Sequence, residues 1–356
     1  MAKAKKEEAA GIDAVMERLN KQYGINSVLA LDSKSDGNYD LISTGSIGFD
    51  NSALGVGGFV KGKLYELMGW EGTGKSTICG HAVANCQAQG GRVAYIDAEH
   101  AVDRNYFKAL GVDTSKLIIS QPACGEEGFN ITLELIKSDE VDMIIIDSDS
   151  ALIPKKVIDG DVGDSALGVK ARLNSSVYPK MKNLITKHNV CVIVVSQYRE
   201  KIGVMFGNPT TTQGGHALKY YADVRIEVSR TLAKEGDVTF ANKTKVKVTK
   251  NKMAPPFRLA EFNVVYGKGI DKVEEMMVLM NDFEMGRKYG KTFTVDDVKH
   301  DFDEFKSKLA SDKVFYDEMK AKIIAKINET DLPIEEVEVI DVEEVVPPVI
   351  EISDEY

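Results

Sequence analysis

An eight-residue stretch, Gly69 to Ser76, has the residue types and spacing of a nucleotide phosphate-binding loop. It reads GWEGTGKS. Glycines let successive backbone N–H groups converge on an anion, and the following helix adds the positive end of its dipole. In this pattern Lys75 reaches the terminal phosphates and the Ser76 hydroxyl is a Mg²⁺ ligand. The residues expected to contact the nucleotide here are Gly69, Trp70, Glu71, Gly72, Thr73, Gly74, Lys75, Ser76 and Thr77.

Three polar residues at or beyond the ends of other predicted strands could complete the chemistry. Asp147 ends an apolar run and could hold the water shell of Mg²⁺. Glu99 lies beyond a second strand end and could polarise a water for attack on the γ-phosphate; a solvated acid is the alternative. Gln197 could donate to a terminal phosphate oxygen. It could thereby distinguish ATP from ADP and transmit the difference to the loop that follows it. We therefore expect Lys75, Glu99 and Gln197 to be catalytic.

The elements that must position these residues alternate between apolar strands and amphipathic helices from residue 62 to 230. This pattern predicts helices covering a mostly parallel twisted sheet, with ligands at the carboxyl ends of the strands. A strand enters the phosphate loop and a helix, Thr77 to Gln89, leaves it. The predicted strands are Leu64–Met68, Val93–Asp97, Leu117–Ser120, Met143–Asp147 and Val190–Ser196, then Asp223–Ser229, Lys243–Thr249 and Arg258–Tyr266 as an antiparallel extension.

Four segments are expected in the chain. Residues 1–40 form an arm with a helix at Ile12–Tyr23 and a strand at Val28–Leu31, which packs on its own domain or on a neighbouring subunit. Residues 41–270 form the α/β core of the P-loop NTPase type. Residues 271–328 are charged and predicted to be a small helical domain. Residues 329–356 are expected to be a disordered acidic tail.

Composition and charge restrict the class of protein. The apolar runs are far shorter than a membrane span, and the four cysteines lack metal-ligand spacing, so we expect a cytoplasmic protein with free thiols and no membrane contact. The net charge of −10 is uneven, because the tail carries many acids and no lysine or arginine. The remaining chain is close to neutral, which leaves a nucleic-acid partner open. The tail is either a DNA mimic or a solubilising segment.

Two segments on the ligand edge are candidate nucleic-acid loops. Residues 199–215 combine two cations, several glycines and an apolar tip. Apolar residues flanked by cations suit insertion between unstacked bases, while a hinge that packs its own tip is the alternative. Residues 159–168 follow the strand that ends at Asp147. Loops as long as the first are usually functional or disordered.

The chain resembles the bacterial RecA recombinases over about residues 12 to 270. The motifs that carry the resemblance, beside the phosphate loop, are Ile42–Ser46 (ISTGS), Ile96–Ala101 (IDAEHA), Ile119–Pro122 (ISQP), Lys201–Pro209 (KIGVMFGNP), Gly214–Gly215 with Ala217–Lys219, and Val248–Lys252 (VTKNK). The resemblance implies an ATP-dependent, self-assembling helical filament on single-stranded DNA that pairs with homologous double-stranded DNA and exchanges strands. The fold expected is the RecA-type core.

The resemblance also implies roles for individual residues. Asp103 and Tyr106 would contact the adenine, Tyr266 joins the nucleotide-binding set, and Lys250 and Lys252 would reach the ATP of the adjacent subunit; a solvated cationic strand end is the alternative for the two lysines. Ser76, and Asp147 through water, would hold Mg²⁺. The residues expected to contact DNA are Gly160, Leu167, Gly168, Arg172, Arg199, Lys201, Ile202, Val204, Met205, Phe206, Gly207, Asn208, Thr211, Gly214 and Gly215.

The chain departs from the family pattern at several positions. Trp70 replaces the usual proline, Ser196 the usual asparagine, Thr210 the usual glutamate and Leu167 the usual methionine. After Asp271 the resemblance is poor, and the aromatic-rich strand segment expected there is not recognisable. These departures concern the coupling between the bound nucleotide and how tightly DNA is held, and they leave the phosphate site intact.

Two other functions remain open from the sequence. A hexameric helicase-type motor on the same fold shares the phosphate chemistry, and it would form closed rings and unwind DNA. A regulatory filament would bind ATP and DNA chiefly to stimulate self-cleavage of a LexA-type repressor in the SOS response, and loading mediators would be further partners. A cellular and a phage origin both fit the sequence.

Overall fold

The computed structural model describes residues 2–24, 27–28, 39–161, 168–200, 210–212, 214–235, 238–330 and 332. The chain forms two compact units, Met1–Asp40 and Leu41–Tyr356. In the first unit, helix α1 spans Ala2–Tyr23 and starts earlier than predicted. The Asn20 side chain closes the turn after α1 by pairing with the backbone of Val28, at 2.9 and 2.8 Å. The rest of the strand predicted at 28–31 lies outside the described residues.

The second unit contains short and long strands, which alternate with helices from residue 64 to residue 200. The strands are β1 (Leu41–Ile42), β2 (Phe59–Val60), β3 (Leu64–Gly69), β4 (Val93–Asp97), β5 (Ile118–Ser120), β6 (Met143–Asp147), β7 (Cys191–Glu200), β8 (Thr210–Thr212), β9 (Val224–Glu235), β10 (Val238–Asn251), β11 (Leu259–Val265), β12 (Gly269–Ile270), β13 (Gly286–Tyr289), β14 (Thr292–Val295) and β15 (Val298–Asp301). The helices are α2 (Lys75–Ala88), α3 (Arg104–Ala109), α4 (Gly125–Lys137), α5 (Lys155–Ile158), α6 (Val169–His188), α7 (Ala217–Tyr221), α8 (Lys272–Asp282), α9 (Phe302–Ser311) and α10 (Lys313–Glu329).

A central sheet of ten strands organises this unit, in the order β12-β11-β10-β9-β3-β7-β6-β4-β5 with β8 paired to β7. Strands β9, β3, β7, β6, β4 and β5 are parallel, whereas β10 to β12 continue the sheet antiparallel. This confirms the predicted α/β fold class with a mostly parallel sheet flanked by helices. All carboxyl ends of the parallel strands therefore lie at one edge.

Both faces of the inner parallel strands β3, β4 and β6, and of β7 as far as Ser196, are buried, which explains their largely apolar sequences. Along β6, Ile145 packs into the core on one face, and Ile144 and Ile146 pack into the core on the other. The same alternation holds for Leu64 and Tyr65 of β3. The period-2 geometry of a strand thus fills two hydrophobic layers from one run of apolar residues.

The segment after residue 271 is not purely helical, which corrects the prediction made for it. A three-stranded antiparallel sheet, β13 to β15, lies between α8 and α9. Each strand has only four residues, so the alternation of apolar and polar residues is too short to predict a strand from the sequence. Asp296 and Asp297 form the β14–β15 turn with φ of 50° and 62°. Two positive φ values are typical of a two-residue hairpin turn, but Asp-Asp is a weaker signal for it than Asn-Gly.

A buried glutamate of α8 connects this segment to the core. Glu275 accepts hydrogen bonds from the hydroxyl of Ser46, from Gly48 N at 3.0 Å and from Ile47 N at 3.3 Å. Burial raises the pKa of Glu275 to about 7. The nearby Asp50 accepts from Ser43 and from Thr44 N, and burial raises its pKa to about 6. The ISTGS motif is therefore a structural junction.

Among the helices of the described residues, none is both long enough and apolar enough to cross a membrane.

Candidate nucleotide and DNA site

The phosphate-binding loop connects the end of β3 to the start of α2, as the motif requires. Gly72 and Gly74 have φ of 69° and 93°, values that favour glycine. A Cβ atom on Gly69 would lie 2.3 Å from the carbonyl oxygen of Val228, so only glycine fits there. Lys75 Nζ donates to the carbonyl oxygens of Gly69 and Trp70 at 3.0 and 2.7 Å. Burial lowers the pKa of Lys75, and Asp147 and Glu99 oppose this effect.

Asp147 lies beside Ser76 at the end of β6. Its Oδ2 accepts from the Ser76 hydroxyl at 2.7 Å and from the Tyr95 hydroxyl at 2.6 Å. Burial raises the pKa of Asp147, while the two hydrogen bonds lower it. A hydroxyl and a carboxylate at this separation offer the hard oxygen ligands that Mg²⁺ takes beside phosphates. The predicted Mg²⁺ residues thus fit the ion.

Glu99 and Gln197 contact each other across the end of the sheet. The Gln197 side-chain amide donates to Glu99 Oε1 at 2.7 Å, and the Ser148 hydroxyl donates to the same oxygen. Gln197 is paired in register with Gly69, the first residue of the loop. Two residues separated by 98 positions are therefore held beside the phosphate loop by strand register.

A cleft of about 350 Å³ brings together most of the predicted nucleotide residues. The predicted residues that line it are Glu71, Gly72, Thr73, Gly74, Lys75, Ser76, Thr77, Glu99, Tyr106, Asp147, Gln197 and Tyr266. A larger cavity of about 690 Å³, between β11 and α8, contains none of them. Sequence reasoning missed Asn242, which also lines the cleft and donates to the Gly72 carbonyl at 3.3 Å.

The two residues expected at the adenine have different positions. The Tyr106 hydroxyl is 2.8 Å from the Thr77 hydroxyl and faces the cleft. Asp103 is instead the N-cap of α3 and accepts from the backbone N–H groups of Asn105 and Tyr106 at 2.7 and 2.8 Å. Asp103 therefore positions Tyr106, and it is outside the lining of the cleft.

Lys250 and Lys252 also lie outside this cleft. Lys250 Nζ donates to the carbonyl oxygens of Lys219 and Tyr220 at 2.9 and 3.0 Å, and Lys252 pairs with Asp223 at 3.3 Å. Burial lowers the pKa of Lys250.

The candidate DNA loops are described at their bases. Gly160, Gly168, Arg172 and Arg199 are exposed, and Arg199 pairs in register with Thr211. The pairing of β7 with β8 makes a two-stranded stem that sequence reasoning missed. The predicted contacts that lie outside the described residues are Leu167, Lys201, Ile202, Val204, Met205, Phe206, Gly207 and Asn208.

Trp70 connects the phosphate loop to this stem. Its ring meets the ring of Tyr198 edge-on, with centroids 5.9 Å apart. Tyr198 pairs in register with Thr212 of β8. Trp70 is 45% exposed, so part of its ring contacts Tyr198 and part is open to solvent. The family usually has proline at this position.

Comparisons with known proteins agree with these features. A family model described as the RecA N-terminal domain matches residues 10–271. The chain is 46% identical over 291 residues to Protein RecA of Macrococcus caseolyticus, covering 82% of both chains. It is 45% identical over 294 residues to Protein RecA of Clostridioides difficile, covering 82% of this chain and 84% of the relative. With Protein RecA of Cytophaga hutchinsonii it shares 42% over 331 residues, covering 92% and 93%.

Proposed function

The chain belongs to the RecA family, and we propose that it couples one ATP site to two DNA loops through the contact between Gln197 and Glu99. It is a recombinase of homologous recombination and DNA repair and a DNA-dependent ATPase, and it binds DNA and forms filaments. The observation that carries the proposal is the hydrogen bond from the Gln197 amide to the Glu99 carboxylate at 2.7 Å. This bond joins the residue that would polarise water to the strand that continues into the second loop.

In the proposed hydrolysis, this chain's residues orient the triphosphate and a water. Lys75 and the backbone N–H groups of the loop bind the phosphates. Mg²⁺, held by Ser76 and through water by Asp147, would neutralise the charge that develops on the phosphate oxygens. The Glu99 carboxylate accepts a proton from the attacking water. Ser148 supports this role, since its hydroxyl holds Glu99 Oε1 in place.

The proposed switch is a competition for the Gln197 amide. The amide donates to Glu99, and a γ-phosphate oxygen would be a second acceptor for the same donor. If the Gln197 amide donates to the phosphate instead, the Glu99 carboxylate is free to bind water and the Gln197 side chain moves. Because Gln197 belongs to β7, its movement reaches Arg199 and the stem. ATP binding would in this way favour the DNA-gripping form, and hydrolysis would favour release.

The proposed DNA contacts come from residues 159–168 and 199–214. Arg172 and Arg199 are exposed at the bases of the two loops and are available for phosphates of single-stranded DNA. The apolar residues between Lys201 and Asn208 would contact unstacked bases. Homologous double-stranded DNA would then pair with the bound strand.

The proposed filament places one ATP at each subunit junction. Lys250 and Lys252 lie outside the lining of their own cleft, which supports a role toward the ATP of the adjacent subunit. Assembly and hydrolysis would then depend on each other. We further place the protein in the cytoplasm, with a LexA-type repressor and loading mediators as partners of the DNA-bound filament.

The proposal is tested by measuring ATP hydrolysis with and without single-stranded DNA while following the emission of the single tryptophan, Trp70. We expect DNA to stimulate hydrolysis and ATP to shift the emission, because Trp70 lies in the phosphate loop. Lys75→Ala should abolish hydrolysis, and Gln197→Ala should keep the emission shift but lose the DNA stimulation. Lys116→Ala, at a side chain that is 77% exposed, is the control and should behave as the wild type. Unchanged hydrolysis by Lys75→Ala would refute the proposed site.

A further inference from the structure

A buried polar cluster lies directly beyond the end of β6, and the hydrolysis scheme does not use it. At its centre is Asp149, whose side chain is 1% exposed. Three residues of α6 contact its carboxylate: the Tyr178 hydroxyl donates at 2.6 Å, Asn174 Nδ2 lies 3.2 and 3.3 Å from the two oxygens, and Lys170 Nζ is 3.7 Å away. Lys170 also donates to the carbonyl oxygens of Asp149 and Leu152.

This cluster reaches the bases of both candidate DNA loops. Helix α6, which supplies the three partners, begins at Val169, directly after the first loop. Asn174 also donates to the carbonyl oxygen of Gly214, at the end of the second loop, at 3.2 Å. A Cβ atom on Gly214 would lie 2.3 Å from Asn174 Nδ2 and 3.0 Å from Asp149 Oδ2. The second loop therefore ends against the cluster itself.

The segment that carries Asp149 also forms one wall of the nucleotide site. Asp147 lies two residues earlier, and the Ser148 hydroxyl donates to Glu99. One residue later, the Ser150 hydroxyl accepts from Gln197 N at 3.3 Å. Residues 147 to 150 thus contact four features in turn. Asp147 contacts the Mg²⁺ position and Ser148 contacts the Glu99 carboxylate. Asp149 contacts the residues at the bases of the two DNA loops, and Ser150 contacts strand β7 at Gln197.

Stability gives little reason for this cluster. Taking a carboxylate and an ammonium out of water costs free energy that their pairing only partly recovers, and apolar side chains of similar size often serve stability as well or better. Burial lowers the pKa of Lys170, and Asp149 opposes that shift. Asn174 Oδ1 is the one atom of the cluster that is buried without a hydrogen-bond partner among the described residues. The remaining hydrogen bonds restrict the relative orientation of the elements that they join. The role of the cluster is therefore geometric.

We infer that Asp149 is a positioning residue for DNA-dependent ATP hydrolysis, fixing the bases of both DNA loops to the segment that bears Asp147 and Ser148. The inference rests on the proposed function, since it takes the two loops as DNA-binding elements. DNA bound at the loops acts on Glu99 through this cluster. Asp149 makes no hydrogen bond to the phosphate loop or to Glu99 among the described contacts, so ATP binding and DNA-independent hydrolysis do not depend on it.

Tyr178→Phe tests the inference with the least disturbance, because it removes one hydroxyl. Tyr65→Phe is a matched control: both tyrosines are 0% exposed, and each hydroxyl lies 2.6 Å from its partner. ATP hydrolysis is measured across single-stranded DNA concentrations, together with the KM for ATP and the melting temperature. Tyr178→Phe should need about tenfold more DNA for half-maximal stimulation, the size expected for a lost hydrogen bond to a charged group. Its KM and DNA-independent rate should stay unchanged.

The control should lower the melting temperature to a similar degree and leave the DNA requirement unchanged. Equal DNA requirements for Tyr178→Phe and the wild type would overturn the inference. Asp149→Asn, which keeps the shape and removes the charge, should shift the DNA requirement in the same direction; if it fails to fold, Tyr178→Phe decides alone.

Arg199→Ala separates this inference from the proposed loops. An Arg199→Ala variant that needs no more DNA than the wild type would contradict the loop assignment. A raised requirement in Arg199→Ala with an unchanged requirement in Tyr178→Phe would overturn only the role of Asp149.

Discussion

Asn242 holds three groups together beside the phosphate-binding loop. Its amide nitrogen donates to the Gly72 carbonyl, and its amide oxygen accepts from Arg230 Nη1 and from the Tyr266 hydroxyl, each at 2.9 Å. The sequence could not single it out, because one asparagine in an antiparallel strand is an ordinary polar residue. Its position becomes informative only through a contact across 170 residues. Lys75 and Ser76, by contrast, lie within one short motif and were predictable.

Glu275 predicts a pH dependence of stability. Its pKa is raised by burial from 4.5 to about 7, so folding favours the protonated form. The stabilisation from this group is fully present below about pH 4.5 and is lost as the pH rises through about 7. We expect the free energy of unfolding of the wild type to fall between pH 5 and 8. At about 1.4 kcal/mol per pKa unit, the loss is at most about 3 kcal/mol.

Chemical denaturation of the wild type and of Glu275→Gln across this pH range measures the effect. The glutamine variant should show a flatter profile, because it cannot ionise. Asp50, whose pKa is raised to about 6, contributes in the same direction and leaves a residual slope. Parallel profiles for the two proteins would show that Glu275 is not responsible.

At the scale of elements, the longer strands with apolar runs or alternating apolar residues were predictable, and short polar strands were not. Strands such as β6 are buried on both faces, so their sequence is a run of apolar residues bounded by polar ones. Strand β8 has three threonines and follows a glycine-rich segment, so only its register with β7 identifies it. Asp149 was missed for a related reason. Its significance lies in its partners on α6, 21 to 29 positions away.

Gly214→Ala is predicted to disturb the second loop more than backbone strain alone would. Gly214 has φ of +93°, and an added Cβ would meet Asn174 Nδ2 at 2.3 Å. Gly90 is the matched control, with φ of +84° and no heavy atom within 4 Å of an added Cβ. Both alanine variants should lose about 1 kcal/mol from the positive φ. Only Gly214→Ala should also lose DNA stimulation of ATP hydrolysis.

Thermal unfolding and the ATPase assay with DNA distinguish these contributions. Equal losses of stability with DNA stimulation intact in both variants would mean that the contact between Gly214 and Asn174 does not matter for coupling.

At the scale of the whole molecule, β5 is the outermost strand on the parallel side of the described sheet. Ile118 and Ile119 on this strand are 42% and 49% exposed. An edge strand that exposes large apolar side chains is a common place for another chain to add. We therefore predict that this edge contacts a neighbouring subunit in the filament.

Ile119→Lys is predicted to weaken filament assembly while leaving the fold intact, since it places a charge on that edge. Filament length on single-stranded DNA, seen by negative-stain electron microscopy, should fall sharply. DNA-stimulated hydrolysis should fall with it, because the ATP site would lack the neighbouring lysines. Val314→Lys, at a residue that is 79% exposed on α10, is the control and should assemble normally. Normal filaments of Ile119→Lys would exclude this edge.

Strand β7 has a mechanical consequence. It is supported by β6 as far as Val194 and by β3 as far as Gln197, and from Tyr198 onward β8 is its only partner among the described strands. Gln197 is thus the point at which β7 leaves the support of the central sheet, and the stem begins directly after it. A small rotation of β7 at Gln197 would displace the far end of the stem by a distance proportional to the length of the stem. The length of the stem would then set how large a displacement a given rotation at Gln197 produces, independently of how tightly either ligand binds.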